Sequence, residues 1–291
     1  MATPPDALRA LLDAPGLHVM PCCFDALSAR LIERAGFPLT FMSGFAVSAA
    51  RLGLPDTGLI SYGEMLDQGR NLCGAVSIPV IGDADTGYGN AMNVKRTIEG
   101  YARAGFACAM IEDQLAPKRC GHTRGKQVVG RGEAVARVRA AVDARDAGAD
   151  ILVMARTDAR AVEGLDEALW RAEAFADAGA DLLFVEAPES DEEMARVCAT
   201  TDLPHMANMV EGGDTPILPP KQLEALGYRI AAYPLTLLNA AIGAMQDALA
   251  ALEKGDSPQG LMPFAQLREI VGFDDYDAEQ ELSLIHISEP T

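Results

Sequence analysis

The sequence predicts a (β/α)₈ TIM barrel, a closed α/β fold of eight parallel strands alternating with helices, and three observations carry that prediction. A length of 291 residues suits one such barrel, which typically needs about 250. A punctuation recurs in which a helical stretch ends in Gly and a short apolar run follows within a residue or two. Those runs are continuously apolar rather than alternating, as strands covered on both faces require.

In order, His18 to Pro21 reads as the first strand. Ala35-Gly36-Phe37 then precedes Leu39-Thr40-Phe41-Met42, and Pro79 to Ile81 follows. Ala104-Gly105-Phe106 precedes Cys108-Ala109-Met110-Ile111, and Ala147-Gly148-Ala149 precedes Ile151-Leu152-Val153-Met154. Ala178-Gly179-Ala180 precedes Leu182-Leu183-Phe184-Val185. His205 to Asn208 comes next, and Leu226-Gly227-Tyr228 introduces Ile230-Ala231-Ala232. Gly just past a helix end fits the left-handed cap.

Between these runs the pattern is helical. Leu165, Leu169, Ala172 and Phe175 form one stripe, with Asp166 and Glu167 suited to the positive helix start; Val135, Val138 and Val142 form another. Leu235 to Leu252 and Leu261 to Ile270 read as extra helices beyond the barrel. No linker or composition shift marks a second domain, so residues 1–281 read as one barrel domain with a C-terminal helical extension. The remainder, 282–291, looks like a translated cloning or sequencing-adaptor scar and is set aside, His286 with it.

Composition narrows the function. Lys and Arg number 24 against 42 Asp and Glu, a formal charge of −18, which disfavours nucleic acid and anionic membrane surfaces as partners. The longest apolar run, Ile230 to Met245, is broken by Pro234 and Asn239 and falls short of the roughly 20 residues of a membrane span. Residues 1–17 include Asp6 and Asp13 and lack the apolar stretch of a signal peptide. Six scattered cysteines without a CxxC suggest no disulfide framework. A soluble, cytoplasmic protein acting on a small molecule is expected.

In a barrel the active site forms at the C-terminal ends of the strands. Here those ends carry Ser43-Gly44, Asp83-Ala84-Asp85, Glu112-Asp113, Arg156-Thr157-Asp158, Glu186 and Asn208, whereas Cys22 and Tyr233 close the first and eighth less tellingly. Converging carboxylates repel one another, and a divalent cation resolves the conflict. Mg²⁺ prefers carboxylate oxygens and water, and no His/Cys cluster suggests zinc. Asp85 is the first choice of ligand, with Asp83 and Glu112 in support. Asp113 and Asp158, taken singly, read as acids that cap the following helix. Arg156 closes an otherwise apolar run, where a buried guanidinium calls for a carboxylate, from the substrate or from Glu186.

A second constellation is the basic, Gly-containing run from Pro117 to Lys126, long enough to act as a mobile lid. Its charge favours thiolate formation at Cys120, from a free value of about 8.5. Such a cysteine serves as acid, base or nucleophile. Cys22, Cys23, Cys73, Cys108 and Cys198 read as inert core residues. Cys120 differs because its neighbours do not suit a core.

These residues carry a resemblance. Lys118-Arg119-Cys120-Gly121-His122 is similar to the signature of the isocitrate lyase/phosphoenolpyruvate mutase superfamily in its lyase branch, and Gly82 to Gly89 resembles that family's metal-site segment. The match continues through Met42-Ser43-Gly44, Leu54-Pro55-Asp56, Ile111 to Gln114, Ala155 to Asp158 and Ala207 to Gly213, covering roughly Pro21 to Leu252. The resemblance implies that Ser43, Gly44 and Arg156 hold the carboxylate of a 2-oxo acid half. It implies that Asp85 anchors Mg²⁺ (Mn²⁺ as a possible substitute) with Asp56, Asp83 and Glu112 around it. Cys120 would protonate the carbanion released on cleavage, with Lys118 beside it among the catalytic residues and His122 assisting. Glu186 and Asn208 would orient the substrate and the lid, and Gly121 and Glu211 would complete the substrate-binding set.

The implied reaction is cleavage of a 2-hydroxy dicarboxylate, a 2-alkylmalate or a methylisocitrate-like acid, to a 2-oxo acid and a second carboxylic acid. The lid cysteine argues against the mutases, phosphonopyruvate hydrolases and oxaloacetate decarboxylases of the superfamily. Oxaloacetate acetylhydrolase stays open, and Thr123 to Lys126 lean towards the dimethylmalate lyase and plant petal-death type. The resemblance also implies a homotetramer whose subunits exchange a C-terminal helix.

Overall fold

Every apolar run becomes a strand, and the eight are parallel: β1 (His18–Cys23), β2 (Thr40–Met42), β3 (Val80–Asp83), β4 (Cys108–Glu112), β5 (Leu152–Thr157), β6 (Leu182–Val185), β7 (Met206–Asn208) and β8 (Ile230–Tyr233). The computed structural model describes residues 2–121 and 125–285. Strand β1 lies between β2 and β8. The seam is closed between β6 and β7, where Leu183 bridges His205 and its N–H donates to Pro204 O at 3.0 Å.

The helices are α1 (Pro4–Asp13), α2 (Ala26–Arg34), α3 (Gly44–Leu52), α4 (Tyr62–Cys73), α5 (Ala91–Ala104), α6 (Arg131–Asp146), α7 (Ala159–Glu163), α8 (Leu165–Asp177), α9 (Asp191–Cys198), α10 (Pro220–Leu226), α11 (Thr236–Glu253), α12 (Phe264–Val271) and α13 (Phe273–Ile285). Gly105 and Gly227 end α5 and α10 with φ of 98° and 107°, the left-handed caps expected. The predicted stripes also hold, with Val138 and Val142 of α6 and Ala172 and Phe175 of α8 buried.

Alternation along the strands sorts the core. Outward-facing Val80, Ala109, Ile111, Val153, Leu183 and Val185 pack into the shell between strands and helices. Inward-facing Ile81, Met110, Met154, Phe184 and Met206 fill the barrel, with Leu8 and Leu12 of α1 in the same cluster. Two residues beyond each of those five stands a polar group: Asp83, Glu112, Arg156, Glu186 and Asn208. The period of two turns five apolar strands into one polar ring.

The chain divides after Leu238 into two compact units. In the second, α11 and α12 lie close to their expected spans. Helix α13 was not expected and runs into the stretch set aside as a tail. Asp274, Asp275, Asp277, Glu279 and Glu281 leave it with little apolar periodicity to read.

Candidate active site

The polar ring opens into a pocket at the mouth of the barrel, where small-molecule sites of this fold form. Ser43, Asp56, Asp83, Lys118, Cys120, Gly121, Arg156, Glu186 and Asn208 line it. Gly44, Asp85 and Glu112 stand directly behind. The Gly44 N–H donates to Asp83 Oδ2 at 3.2 Å, Asp85 Oδ1 is 2.8 Å from Lys118 Nζ, and Glu112 Oε2 is 3.4 Å from Arg156 Nε. Of the other expected residues, Glu211 is exposed and accepts a hydrogen bond from Thr236, outside the pocket lining. Its loop stands beyond the end of β7, so its side chain escapes the inward alternation. His122 lies outside the described residues.

Local geometry explains how the ring is built. Ser43 ends β2 and N-caps α3, so the start of that helix faces the mouth with its positive end. Asp83 Oδ1 accepts the Asp85 N–H at 3.0 Å, and Tyr101 donates its hydroxyl to Asp83 O at 2.8 Å. Asp85, Tyr88 and Ala187 carry φ of 49°, 61° and 58°, strained for non-glycine residues and grouped where β3 and β6 deliver their acids. Two approaches leave no room for a side chain. A Cβ on Gly44 would lie 2.4 Å from Asp83 Oδ2, and one on Gly121 would lie 2.2 Å from Glu186 Oε2.

The electrostatics follow from burial. Desolvation, then the neighbouring Asp85, raises the pKa of Asp83. Desolvation drives Glu112 well above the ordinary carboxylate range against the pull of Arg156. Burial alone would lower Lys118, yet Asp85, Asp83, Asp56 and Glu112 hold it well above its usual value. Lys118 Nζ sits 2.7 Å from Asp56 Oδ1 as well as 2.8 Å from Asp85. Here the expectation that the neighbours of Cys120 avoid the interior is corrected. Lys118 is 5% exposed, because the acids that desolvation would punish are the partners that let it enter.

A second correction concerns the capping acids. Asp158 occupies the N-cap position of α7 but makes no side-chain cap hydrogen bond. Its carboxylate takes Arg156 Nε at 2.8 Å, Arg156 Nη2 at 3.1 Å and Lys126 Nζ at 2.8 Å. Arg156 and Lys126 thereby overcome desolvation and hold Asp158 far below the ordinary range. Asp113 accepts the Thr157 hydroxyl at 2.6 Å and the Asp158 N–H at 2.9 Å. Both acids lose capping to a stronger claim, a buried cation or the end of β5.

Arg156 reaches Glu186 at 3.1 Å, and Asn208 Nδ2 donates to both Glu186 oxygens at 3.3 Å. Cys120 is partly exposed on the pocket wall. The peptides flanking it are pinned: Gln114 accepts from Arg119 N at 2.9 Å and donates to Arg119 O at 2.8 Å, and Lys126 donates to Gly121 O. Sequence reasoning missed the apolar wall of Phe41, Phe45, Val210 and Leu235, residues that read as core or loop until the barrel gathers them. Lys126 as the tie between Asp158 and Gly121 was also missed, and no spacing signals it.

As for metal ligands, among the described residues no three His, Cys, Asp or Glu side chains stand converged as a ready site. The oxygen donors of Asp83, Asp85 and Glu112 are nevertheless of the type Mg²⁺ takes. Glu112 Oε1 is buried without a hydrogen-bond partner, an oxygen with coordination to spare. The residues fit such an ion.

A parallel barrel whose mouth joins buried acids, cationic side chains and a cysteine held between pinned peptides is built as an enzyme site for a small molecule. Comparison with known proteins is specific. The phosphoenolpyruvate phosphomutase family model matches residues 8–253. The chain is 44% identical to 2,3-dimethylmalate lyase of Eubacterium barkeri, over 92% of this chain and 93% of that protein. It is 42% identical to a chloroplastic carboxyvinyl-carboxyphosphonate phosphorylmutase of Arabidopsis thaliana, over 94% and 81%. It is also 42% identical to a probable 2-methylisocitrate lyase of Corynebacterium glutamicum, over 94% and 89%. Among solved structures, oxaloacetate acetylhydrolase in complex with 3,3-difluorooxalacetate superposes with a TM-score of 0.92 at 36% identity, covering 97% of each chain. Phosphonopyruvate hydrolase in complex with oxalate and Mg²⁺ gives 0.84 at 30%, over 95% and 98%. The chain belongs to the phosphoenolpyruvate phosphomutase family. Within that superfamily it is a carbon–carbon lyase.

Proposed function

We propose that the protein cleaves the C2–C3 bond of a 2-hydroxy dicarboxylate, a 2-alkylmalate or methylisocitrate-like acid, into a 2-oxo acid and a second carboxylic acid. The observation that carries this reading is Cys120 on the pocket wall, its backbone fixed on both sides, within the same cavity as Arg156, Glu186 and Asn208.

Transfer of the C2 hydroxyl proton to a carboxylate of the pocket wall, Asp56 or Glu186, lets the C2–C3 electron pair pass to C3 and its carboxyl group while C2 becomes a ketone. Ser43, Gly44 and Arg156 hold the carboxylate at C2, the helix start and the guanidinium both favouring negative charge. Glu186 and Asn208 fix Arg156 and the near side of the substrate. The Cys120 thiol then donates its proton to C3, completing the second acid. Bound Mg²⁺, held by Asp85 with Asp83 and Glu112, supplies electrostatic stabilisation of the oxygens that gain charge; Mn²⁺ suits the same oxygens. Lys118 holds Asp56 and Asp85 in place, and the apolar wall offers room for an alkyl substituent. His122 assists on the lid, and Glu211 closes towards the substrate only if its loop moves.

We propose also that the enzyme is a cytoplasmic homotetramer exchanging C-terminal helices, with residues 1–281 one working domain and 282–291 an artificial tail. Among the described residues no helix is long and apolar enough to cross a membrane.

The test is 2-oxo acid release with Mg²⁺ from 2-alkylmalates, 2-methylisocitrate, isocitrate and oxaloacetate, with a phosphonate substrate alongside because one relative carries a phosphorylmutase name. Release from an alkylmalate is expected. Cys120→Ser is expected to lose at least about 100-fold in kcat while still binding oxalate, and EDTA to stop turnover reversibly. Turnover surviving Cys120→Ser moves the proton donor elsewhere, and an inactive protein on the whole lyase panel overturns the reading.

A further inference from the structure

Helix α8 packs its inner stripe of Ala168, Ala172 and Phe175 against the barrel, yet the same stripe contains Arg171, only 1% exposed. A guanidinium there carries a heavy desolvation cost unless its nitrogens find acceptors. Each of its three nitrogens donates. Nη1 donates to Asp113 Oδ2 at 3.0 Å and to Val129 O at 2.9 Å, Nη2 to Glu163 at 3.0 Å, and Nε to Glu167 at 2.9 Å.

Two of those partners belong to the roots of the active site. Asp113 directly follows Glu112 and grips the end of β5 through the Thr157 hydroxyl and the Asp158 N–H. Asp158 in turn holds Arg156 by two hydrogen bonds and Lys126 by one, and Lys126 ties down Gly121 beside Cys120. Val129 lies three residues beyond Lys126, and its N–H donates to Asp113 O at 2.9 Å. One side chain therefore braces the end of β4, the end of β5 and the segment at Val129 together.

We infer that Arg171 is a positioning residue: acting through Asp113 and Asp158, it sets the place of the Arg156 guanidinium and of the lid segment that carries Cys120. This deepens the lyase reading and rests on it. A brace of this kind is felt in the chemical step, since displacement of a catalytic group by about 1 Å can cost on the order of 100-fold. Arg171→Lys retains the charge but a single ammonium cannot span four acceptors in a planar fork.

The experiment compares wild type, Arg171→Lys and Thr157→Val, the last removing one hydroxyl of the relay while leaving the Arg171–Asp113 pair intact. Three readouts are taken on folded protein: melting temperature, kcat and KM per oxalate-titrated site, and oxalate affinity by calorimetry with Mg²⁺. The expected result is a kcat per site lowered at least about tenfold in Arg171→Lys and several-fold in Thr157→Val, with oxalate bound more weakly in both. A merely structural Arg171 would lower the melting temperature and leave kcat per site and oxalate affinity unchanged, which overturns the inference. Should Arg171→Lys not fold, Thr157→Val decides by the same two quantities. If wild type binds oxalate but cleaves nothing, the lyase reading falls while the oxalate affinities still decide the role of Arg171. If it does neither, both fall.

Discussion

At Gly121 the absence of a side chain is itself a functional requirement. A Cβ there would meet Glu186 Oε2 at 2.2 Å and Arg156 Nη2 at 2.7 Å, and neither is a loose chain end. Glu186 is held by Asn208, and Arg156 by Asp158. Gly121→Ala must therefore push the lid outward or displace the Arg156–Glu186 pair. The expected outcome is a loss of at least about tenfold in kcat/KM with an unchanged circular dichroism spectrum, read by steady-state kinetics. Full activity would mean that the lid closes further out than it does in this geometry. Residues of this kind divide by how they announce themselves. Asp83, Glu112, Arg156, Glu186 and Asn208 were legible because each interrupts an apolar run at its last inward position. Asp56 was not, since it sits in the loop between α3 and α4, off any strand end, where it lines the pocket and pairs with Lys118; its role came from motif resemblance. Arg171 was invisible, because a charged residue on an otherwise apolar helix stripe reads as surface until the structure buries it.

Elements place those residues, and the barrel seam carries a buried group that responds to acid. His205 precedes β7, bridges Leu183 of β6, and its carbonyl accepts from Arg229 N at 3.0 Å. The ring is buried, its Nδ1 has no hydrogen-bond partner, and Nε2 lies 3.2 Å from Thr201 Oγ1. Burial lowers its pKa from 6.5 to about 4. The folded state thus binds fewer protons than the unfolded chain between these values. Stability from the neutral ring is complete above pH 6.5 and is lost as pH falls towards 4. The loss amounts to about 3 kcal/mol by pH 4. Urea unfolding of wild type and His205→Gln across pH 7 to 4 is expected to give curves that converge as pH drops, because Gln does not titrate. Parallel acid limbs would exclude His205 as the source. Strand existence and order were readable from Gly-punctuated apolar runs. The closing contact was not, since Leu183 and His205 are joined by one bridge and no local pattern marks a seam.

On the scale of the whole molecule, charge and apolar surface pull in opposite directions. A charge of −18 keeps copies of the chain apart. The second unit nevertheless leaves Met245, Leu249 and Leu252 of α11 exposed, together with Phe264, Leu267 and Tyr276 of α12 and α13; Phe264 is 73% accessible. Large side chains this numerous in one short unit exceed the scattered apolar residues of an ordinary surface. If these faces are covered by other copies, as the proposed tetramer requires, association must gain more from apolar burial than it loses to repulsion. Salt screens the repulsion, with a Debye length near 8 Å at about 0.15 M, and leaves apolar burial in place. Light scattering is therefore expected to give the mass of four chains, with dissociation on dilution suppressed as salt rises. Leu249→Asp combined with Phe264→Asp is expected to yield single chains with the barrel's circular dichroism retained, since neither residue belongs to the barrel unit. A single-chain mass for wild type at every salt concentration would remove the tetramer, and tighter association at low salt than at high would assign the contact to charge pairs instead of these helices.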